Sequence, residues 1–239
     1  MPEQDRDQKL NSPIRSFGRK GGRPLSGRQQ SLVDNLLPRL RLPGEAGALE
    51  RPLDLFDAKV SQLWLEIGFG GGEHVSAQAK ANPDAGIMAS EVFIEGIAKC
   101  LSDIDDMELQ NVRLWDEDAR ELVNLLPDAC LDRVFILFPD PWPKKRHQKR
   151  RIIQPDFLSE LSRAMKPGAR LRFATDVRSY ADEALSIFLA ADGYNWTAET
   201  AADWRRPPAD HFRTRYETKN LGDIAPVFYE FTLEEIIQT

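Results

Sequence analysis

Cysteine and long apolar runs are both scarce in this chain. Cys100 and Cys130 are the two cysteines among 239 residues, and their spacing matches no zinc site, redox pair or disulfide framework. They read as reduced, buried fillers of a cytoplasmic protein, and no metal is expected. The densest apolar run, Val134 to Phe138, falls far short of the ~20 residues that a membrane span needs. The opening stretch MPEQDRDQKL has no apolar centre of the signal-peptide kind. There is no internal repeat and no sign of a second core. Hydrophobic content of 41% and charged content of 29% are ordinary for a soluble globular protein. The length suits one domain with an arm: a flexible basic arm over residues 1–30 and a domain over 31–239.

The cations, by contrast, are concentrated. The net charge is −6, yet Lys9, Arg15, Arg19, Lys20, Arg23 and Arg28 fall within residues 9–28 without a single acid. A second cluster, FPDPWPKKRHQKRR over 138–151, sets six cations against one carboxylate, Asp140. A lone basic tail is often no more than a solvated surface. Two basic segments on an acidic protein point instead to a polyanion docking on local patches.

Between the basic segments runs a regular alternation. Apolar runs at LWLEI (63–67), GIMASEV (86–92), NVRLWD (111–116), RVFILF (133–138) and RLRFAT (170–175) are each followed by a stretch with helical spacing. The helices are expected at Glu73–Ala81, Ile94–Ile104, Ala119–Leu126, Asp156–Met165 and Ser179–Ala191, with a shorter one before them at Ser31–Leu40. Five strand–helix units imply a parallel sheet covered by helices on both faces. Beyond Gly193, YNWTAET and PVFYEFTL lack a clear helix between them and suit an antiparallel pair closing the sheet edge. The expected class is α/β with a mostly parallel, seven-stranded sheet. The loop between the last two strands carries Arg205, Arg206, Arg213, Arg215 and Lys219.

Ligands of such sheets bind beyond the carboxyl ends of the strands. After the first strand comes Glu66-Ile67-Gly68-Phe69-Gly70-Gly71-Gly72, where glycines let the backbone pass close to a ligand. Taken alone, that is a common structural turn. The second strand leads to Glu91, a carboxylate suited to the two hydroxyls of a ribose. The third leads to Asp118-Ala119, placed for an adenine amino group, although Asp118 alone reads equally well as a helix N-cap. Together they describe a nucleoside site. Acids at Glu66 and Glu73 oppose a pyrophosphate at the helix N-terminus and suit a ligand with a positive end, such as S-adenosylmethionine. The fourth strand delivers Asp140 between two prolines that stiffen its turn, and the fifth adds Thr175-Asp176.

LEIGFGGGEH, SEVF, FPDPWPKKRHQKRR, ATD and TRYETK, in this order and spacing, resemble the bacterial tRNA (guanine-N7-)-methyltransferase family. The similarity runs from Ile14 to Phe231 and includes the arm, IRSFGRKGGRPLSGRQQ. The resemblance implies a Rossmann-like, class I S-adenosylmethionine-dependent enzyme of the cytoplasm; a monomer is favoured over a homodimer, although the sequence does not decide the oligomeric state. It implies methyl transfer to N7 of the variable-loop guanosine of tRNA. It also implies that Glu66, Gly68, Glu91, Asp118, Ala119 and Asp140 line the cofactor site, with Asp140 the catalytic residue. Lys144, Asp176, Thr214, Arg215, Tyr216 and Glu217 would then meet the substrate, and Arg146, His147, Gln148, Lys149, Arg150 and Arg151 the RNA. Arg215 departs from the family, where lysine is expected.

Three other readings use part of these features. A nicotinamide-dependent dehydrogenase shares the glycine turn and Glu91 but has no use for the basic ramp. A non-catalytic RNA-binding protein needs the ramp but no nucleoside site. A DNA or protein amino-methyltransferase shares the cofactor half, but FPDPW matches its Asn/Asp-Pro-Pro-aromatic turn only in outline.

Overall fold

The computed structural model describes residues 24–234; most of the arm read over 1–30 lies outside the described residues. The part inside them moves the arm's boundary. Helix α1, Gly27–Asn35, begins four residues before the expected Ser31. A reciprocal cap starts it there: Ser26 Oγ accepts from Gln29 N–H, and the Gln29 side chain accepts from Ser26 N–H. Pro38 does not sit inside that helix but opens a separate turn, α2, Leu37–Leu40.

The alternation then follows the expected order: β1 (Gln62–Ile67), α3 (Glu73–Ala81), β2 (Ala85–Ser90), α4 (Ile94–Asp106), β3 (Val112–Trp115), α5 (Ala119–Leu125), β4 (Leu131–Leu137), α6 (Pro155–Ala164), β5 (Met165–Thr175) and α7 (Arg178–Ala190). Strand β5 starts five residues earlier than expected. Leu131 pairs with Met165 ahead of a register shift, after which Arg133 pairs with Arg170. The chain ends in β6 (Tyr194–Trp196) and β7 (Val227–Leu233), with β7 antiparallel to both β5 and β6. Two helices unseen in the sequence lie between them, α8 (Ala201–Arg205) and α9 (Arg215–Thr218). Five and four residues are too few to show a helical period.

The seven strands are ordered β3-β2-β1-β4-β5-β7-β6. Alternating side chains divide the core in two. Leu63, Leu65, Val134, Ile136 and Phe173 pack with Leu122 of α5, Leu161 of α6 and Phe188 of α7. Trp64, Ile87, Phe135, Leu137 and Phe228 pack on the other face with Val75 of α3 and Leu101 of α4. Phe188 stacks on Phe231 at 4.2 Å between ring centres, pinning α7 to the closing strand; each such buried aromatic contributes about 1.5–3 kcal/mol. Strand order reverses between β1 and β4, so a crevice opens beyond their carboxyl ends. No helix among the described residues is long and apolar enough to cross a membrane.

Candidate active site

The glycine turn after β1 is built on left-handed backbone, with φ of +72°, +59° and +83° at Gly68, Gly70 and Gly72. A Cβ on Gly68 or Gly70 would meet nothing within 4 Å, so the turn borders open space. Gly72 faces the other way, where a Cβ would lie 2.5 Å from that of Cys100 on α4. Gly96, in the first turn of α4, is tighter still: its Cβ would fall 2.1 Å from the Gly70 carbonyl oxygen. Helix α4 thus props up the turn from behind.

Glu91 ties this turn to the end of β2. Its carboxylate accepts from Gly70 N–H at 2.9 Å, Val92 N–H at 2.7 Å and Phe93 N–H at 2.9 Å. Burial pushes its pKa up, the three N–H donors oppose that, and the negative charge of Asp140 adds to the rise. Asp118 caps α5, accepting from Arg120 N–H at 2.9 Å, and its other oxygen lies 3.1 Å from the Arg120 guanidinium. Ala119 is buried beside it. Glu66 is 3% exposed, with its carboxylate 2.6 Å from His74 Nδ1 at the start of α3.

At the end of β4, Phe138 and Trp142 both take left-handed backbone, with φ of +50° and +40°. Two such residues within five positions concentrate strain in the turn that carries Asp140. Asp140 is exposed, and its charge reaches Glu91 on one side and Tyr216 on the other. Tyr216 is pushed up to about 12 by burial, then by Asp176, which accepts from its hydroxyl at 3.3 Å, and by Asp140. Asp176 is itself 5% exposed. Its backing is Gly222, whose Cβ would lie 2.3 Å from the Asp176 Cγ. The Phe138 and Tyr216 rings pack at 5.4 Å.

Thr214 and Glu217 close a cap on α9. Glu217 accepts from Thr214 N–H at 2.8 Å, and Thr214 accepts from Glu217 N–H at 3.3 Å. The other Glu217 oxygen meets His211 Nε2 at 2.9 Å. Arg215 points into solvent from the same turn.

The basic run forms a 3-10 turn, Lys145–Arg150. Lys144, Lys145, Arg146 and Lys149 are exposed. Arg150 lies over the Trp142 ring at 5.0 Å, with the His147 ring edge-on to Trp142 at 6.0 Å. Burial and the flanking Arg150, Arg146 and Lys144 lower the pKa of His147. Gln148 accepts from Arg151 N–H at 2.9 Å. Arg151 itself corrects the sequence reading. It is 0% exposed, and its guanidinium binds the Pro141 carbonyl, Ser179 and Glu183. A side chain spent in this way has no surface to offer a phosphate.

A family model described as "Putative methyltransferase" matches residues 61–227. A tRNA (guanine-N(7)-)-methyltransferase of Hyphomonas neptunium is 56% identical over 223 residues, which cover 92% of this chain and all of the relative. Its counterpart in Rhodospirillum rubrum is 48% identical over 92% of this chain and 86% of the relative. The chain belongs to the tRNA (guanine-N7-)-methyltransferase family. Among solved structures, a 16S rRNA methyltransferase, KamB, superposes with a TM-score of 0.53 at 15% identity, over 74% of this chain and 90% of that one. At that identity the likeness concerns the fold, which is that of class I S-adenosylmethionine-dependent methyltransferases.

Within this member of the family, the expected residues fall into three groups. Gly68, Glu91, Asp140, Asp176 and Tyr216 gather around the crevice. Glu66, Asp118, Thr214 and Glu217 are engaged in bonds that build its walls. Lys144, Arg146, Lys149 and Arg215 lie on the outer surface, and Arg151 is interior. Sequence reading missed Gly96, His74, Gln78 and Asp210. An isolated glycine in a helical pattern is a recognisable sign of close packing, so Gly96 was within reach. Asp210 carries no such sign, yet it clamps Arg133 and Arg172 at 2.6 Å each. A groove of about 420 Å³ lined by Glu73, Ser76, Ala77, Asp103, Met107 and Phe212 takes in Glu73 alone of the residues considered for the donor, and none of those around the crevice.

Proposed function

We propose that this protein methylates N7 of a variable-loop guanosine in tRNA, using S-adenosylmethionine, and that Asp140 is the residue at which donor and acceptor meet. The observation that carries this reading is the position of Asp140, exposed just beyond the carboxyl end of β4 in the turn whose Phe138 ring packs on Tyr216 of the TRYE segment at 5.4 Å. The relatives are named as tRNA (guanine-N(7)-)-methyltransferases, which supports the base, the atom and the RNA class.

The donor fits the residues present. Gly68 and Gly70 leave open space, and Glu91 and Asp140 supply carboxylates suited to a cationic ligand. When bound, S-adenosylmethionine supplies a methyl group activated by a positively charged sulfur. Guanine N7 has a free lone pair and no proton, so the chain needs no general base. Its task is alignment, which alone contributes several kcal/mol, up to ~7–11 in favourable systems. A carboxylate at Asp140 accepts from guanine N1–H and the 2-amino group, holding the base and favouring the cationic product. Lys144, Lys145, Arg146 and Lys149 neutralise phosphates beside it. N7 faces the deep, narrow groove that side chains read poorly in folded RNA, so the guanosine is turned out to react.

The test is a tRNA transcript incubated with methyl-labelled donor and then cleaved chemically at N7-methylguanosine. Scission at one variable-loop guanosine supports the reading. Label that resists scission places the methyl on another atom and refutes it.

A further inference from the structure

A chain of hydrogen bonds, buried at its α3 end and continued through the backbone from Asp210 to His211, leads from the donor side of the crevice to the TRYE segment, and it passes through residues with no role in the reaction just described. It starts at Glu66, at the end of β1 and next to the glycine turn, whose carboxylate lies 2.6 Å from His74 Nδ1. With Nδ1–H donating there, His74 Nε2 is the acceptor for Gln78 Nε2 at 3.2 Å. Gln78 is one turn further along the same face of α3, and its amide also donates to the Asp210 carbonyl at 2.9 Å. The next residue, His211, holds the Glu217 carboxylate, which in turn caps Thr214. Asp210 cannot drift, because Arg133 on β4 and Arg172 on β5 grip its carboxylate. His74 and Gln78 are each 1% exposed, so water does not compete for the bonds that join Glu66, His74 and Gln78, and breaking one leaves a buried polar group unpaired.

We propose that His74 and Gln78 are positioning residues, the joint through which occupancy of the donor site fixes the segment Thr214–Glu217. The proposal rests on the reading of that segment as facing the tRNA. Donor binding steadies the end of β1 and the glycine turn. Through Glu66 and His74 it steadies α3, and through Gln78 it steadies the anchor of α9. Donor occupancy and the order of Thr214–Glu217 are then coupled by a route separate from the point at which methyl and guanine meet, and each strengthens the other.

Amide hydrogen exchange on the full chain tests this without RNA. Adding S-adenosylmethionine to the parent protein slows exchange at Gly70 and also at Thr214 and Glu217, by about fivefold, the lower end of typical coupling. Gln78→Met keeps the side-chain volume and removes both donated bonds. It retains donor protection at Gly70 and loses it at Thr214 and Glu217. His211→Phe, which keeps a ring against Phe228, gives the same pattern and serves if Gln78→Met does not fold. In kinetics both variants raise the KM for tRNA and leave the KM for the donor unchanged. Protection at Gly70 without any at Thr214–Glu217 in the parent overturns the joint and leaves the donor site standing. Equal protection in parent and variants also overturns it. No protection at either place overturns donor site and joint together. The tRNA reading stands or falls separately, on the scission experiment.

Discussion

Arg151 Nε donates to the Pro141 carbonyl over 2.8 Å, so the basic run ends by clasping the turn at which it begins. The same guanidinium lies over the Tyr180 ring at 4.6 Å and reaches Ser179 and Glu183 on α7. A strained turn carrying an exposed carboxylate has to be held by something, and this arginine holds it.

Arg151→Met is therefore expected to destabilise the fold by about 2–3 kcal/mol. That is below the usual cost of breaking a buried pair, because Glu183 keeps 34% of its side chain exposed. Chemical denaturation measures the loss. Methylation should fall with it, since the Asp140 turn loosens.

The exposed cations should behave in the opposite way. Replacing Lys144, Lys145, Arg146 and Lys149 with Ala changes stability by no more than about 0.5 kcal/mol for each substitution. The log–log slope of tRNA affinity against salt should flatten by roughly 3, at ~0.7–0.9 per phosphate contact. A salt titration of parent and variant checks this, and Arg151→Met, as far as it folds, should leave the slope alone.

Most of this was legible in the sequence, and the exceptions share a cause. The bounds of α3 are those expected, because apolar spacing and the glycines before it mark them without tertiary help. Glu91 and Asp140 were found as carboxylates at strand ends, a local signal with a topological meaning. Arg151 was misplaced because a basic run looks uniform in sequence, and only packing separates the one interior member from its solvated neighbours. Asp210 and His211 escaped notice because their partners, Arg133, Arg172 and Glu217, come from three separate elements. Helices α8 and α9 are too short to declare a period.

Gly96→Ala should weaken donor binding by at least about tenfold, equivalent to 1.36 kcal/mol. The added methyl would sit 2.1 Å from the Gly70 carbonyl oxygen, so the turn must shift. Glu91 then loses its bond to Gly70 N–H. Titration calorimetry with S-adenosylmethionine gives the answer, with circular dichroism to show that α4 persists.

Acid should release the loop around α9 before it unfolds the sheet. Burial raises the pKa of Asp210, but Arg172 and Arg133 outweigh it and hold the carboxyl well below the ordinary range. Glu217 is buried too, yet His211 and Thr214 bring it down. A carboxyl with a lowered pKa gives its full stabilisation above the ordinary carboxylate range and loses it as pH falls through the lowered value. Protection of the amides at residues 210–219, corrected for the intrinsic pH dependence of exchange, should thus hold steady down to about pH 4 and fall below it. In Asp210→Asn the exchange should already be raised at neutral pH.

The central proposal is that Asp140 is an aligning carboxylate in a reaction without a general base. The most direct measurement is single-turnover methylation by parent and Asp140→Asn, with tRNA and donor both saturating, across pH 6.5 to 9. The account predicts a flat profile for the parent and a rate at least tenfold lower for the variant at every pH, a barrier change of about 1.36 kcal/mol or more. Near-parental rates in the variant, or a parental rate that follows the ionisation of some group across this range, would contradict it.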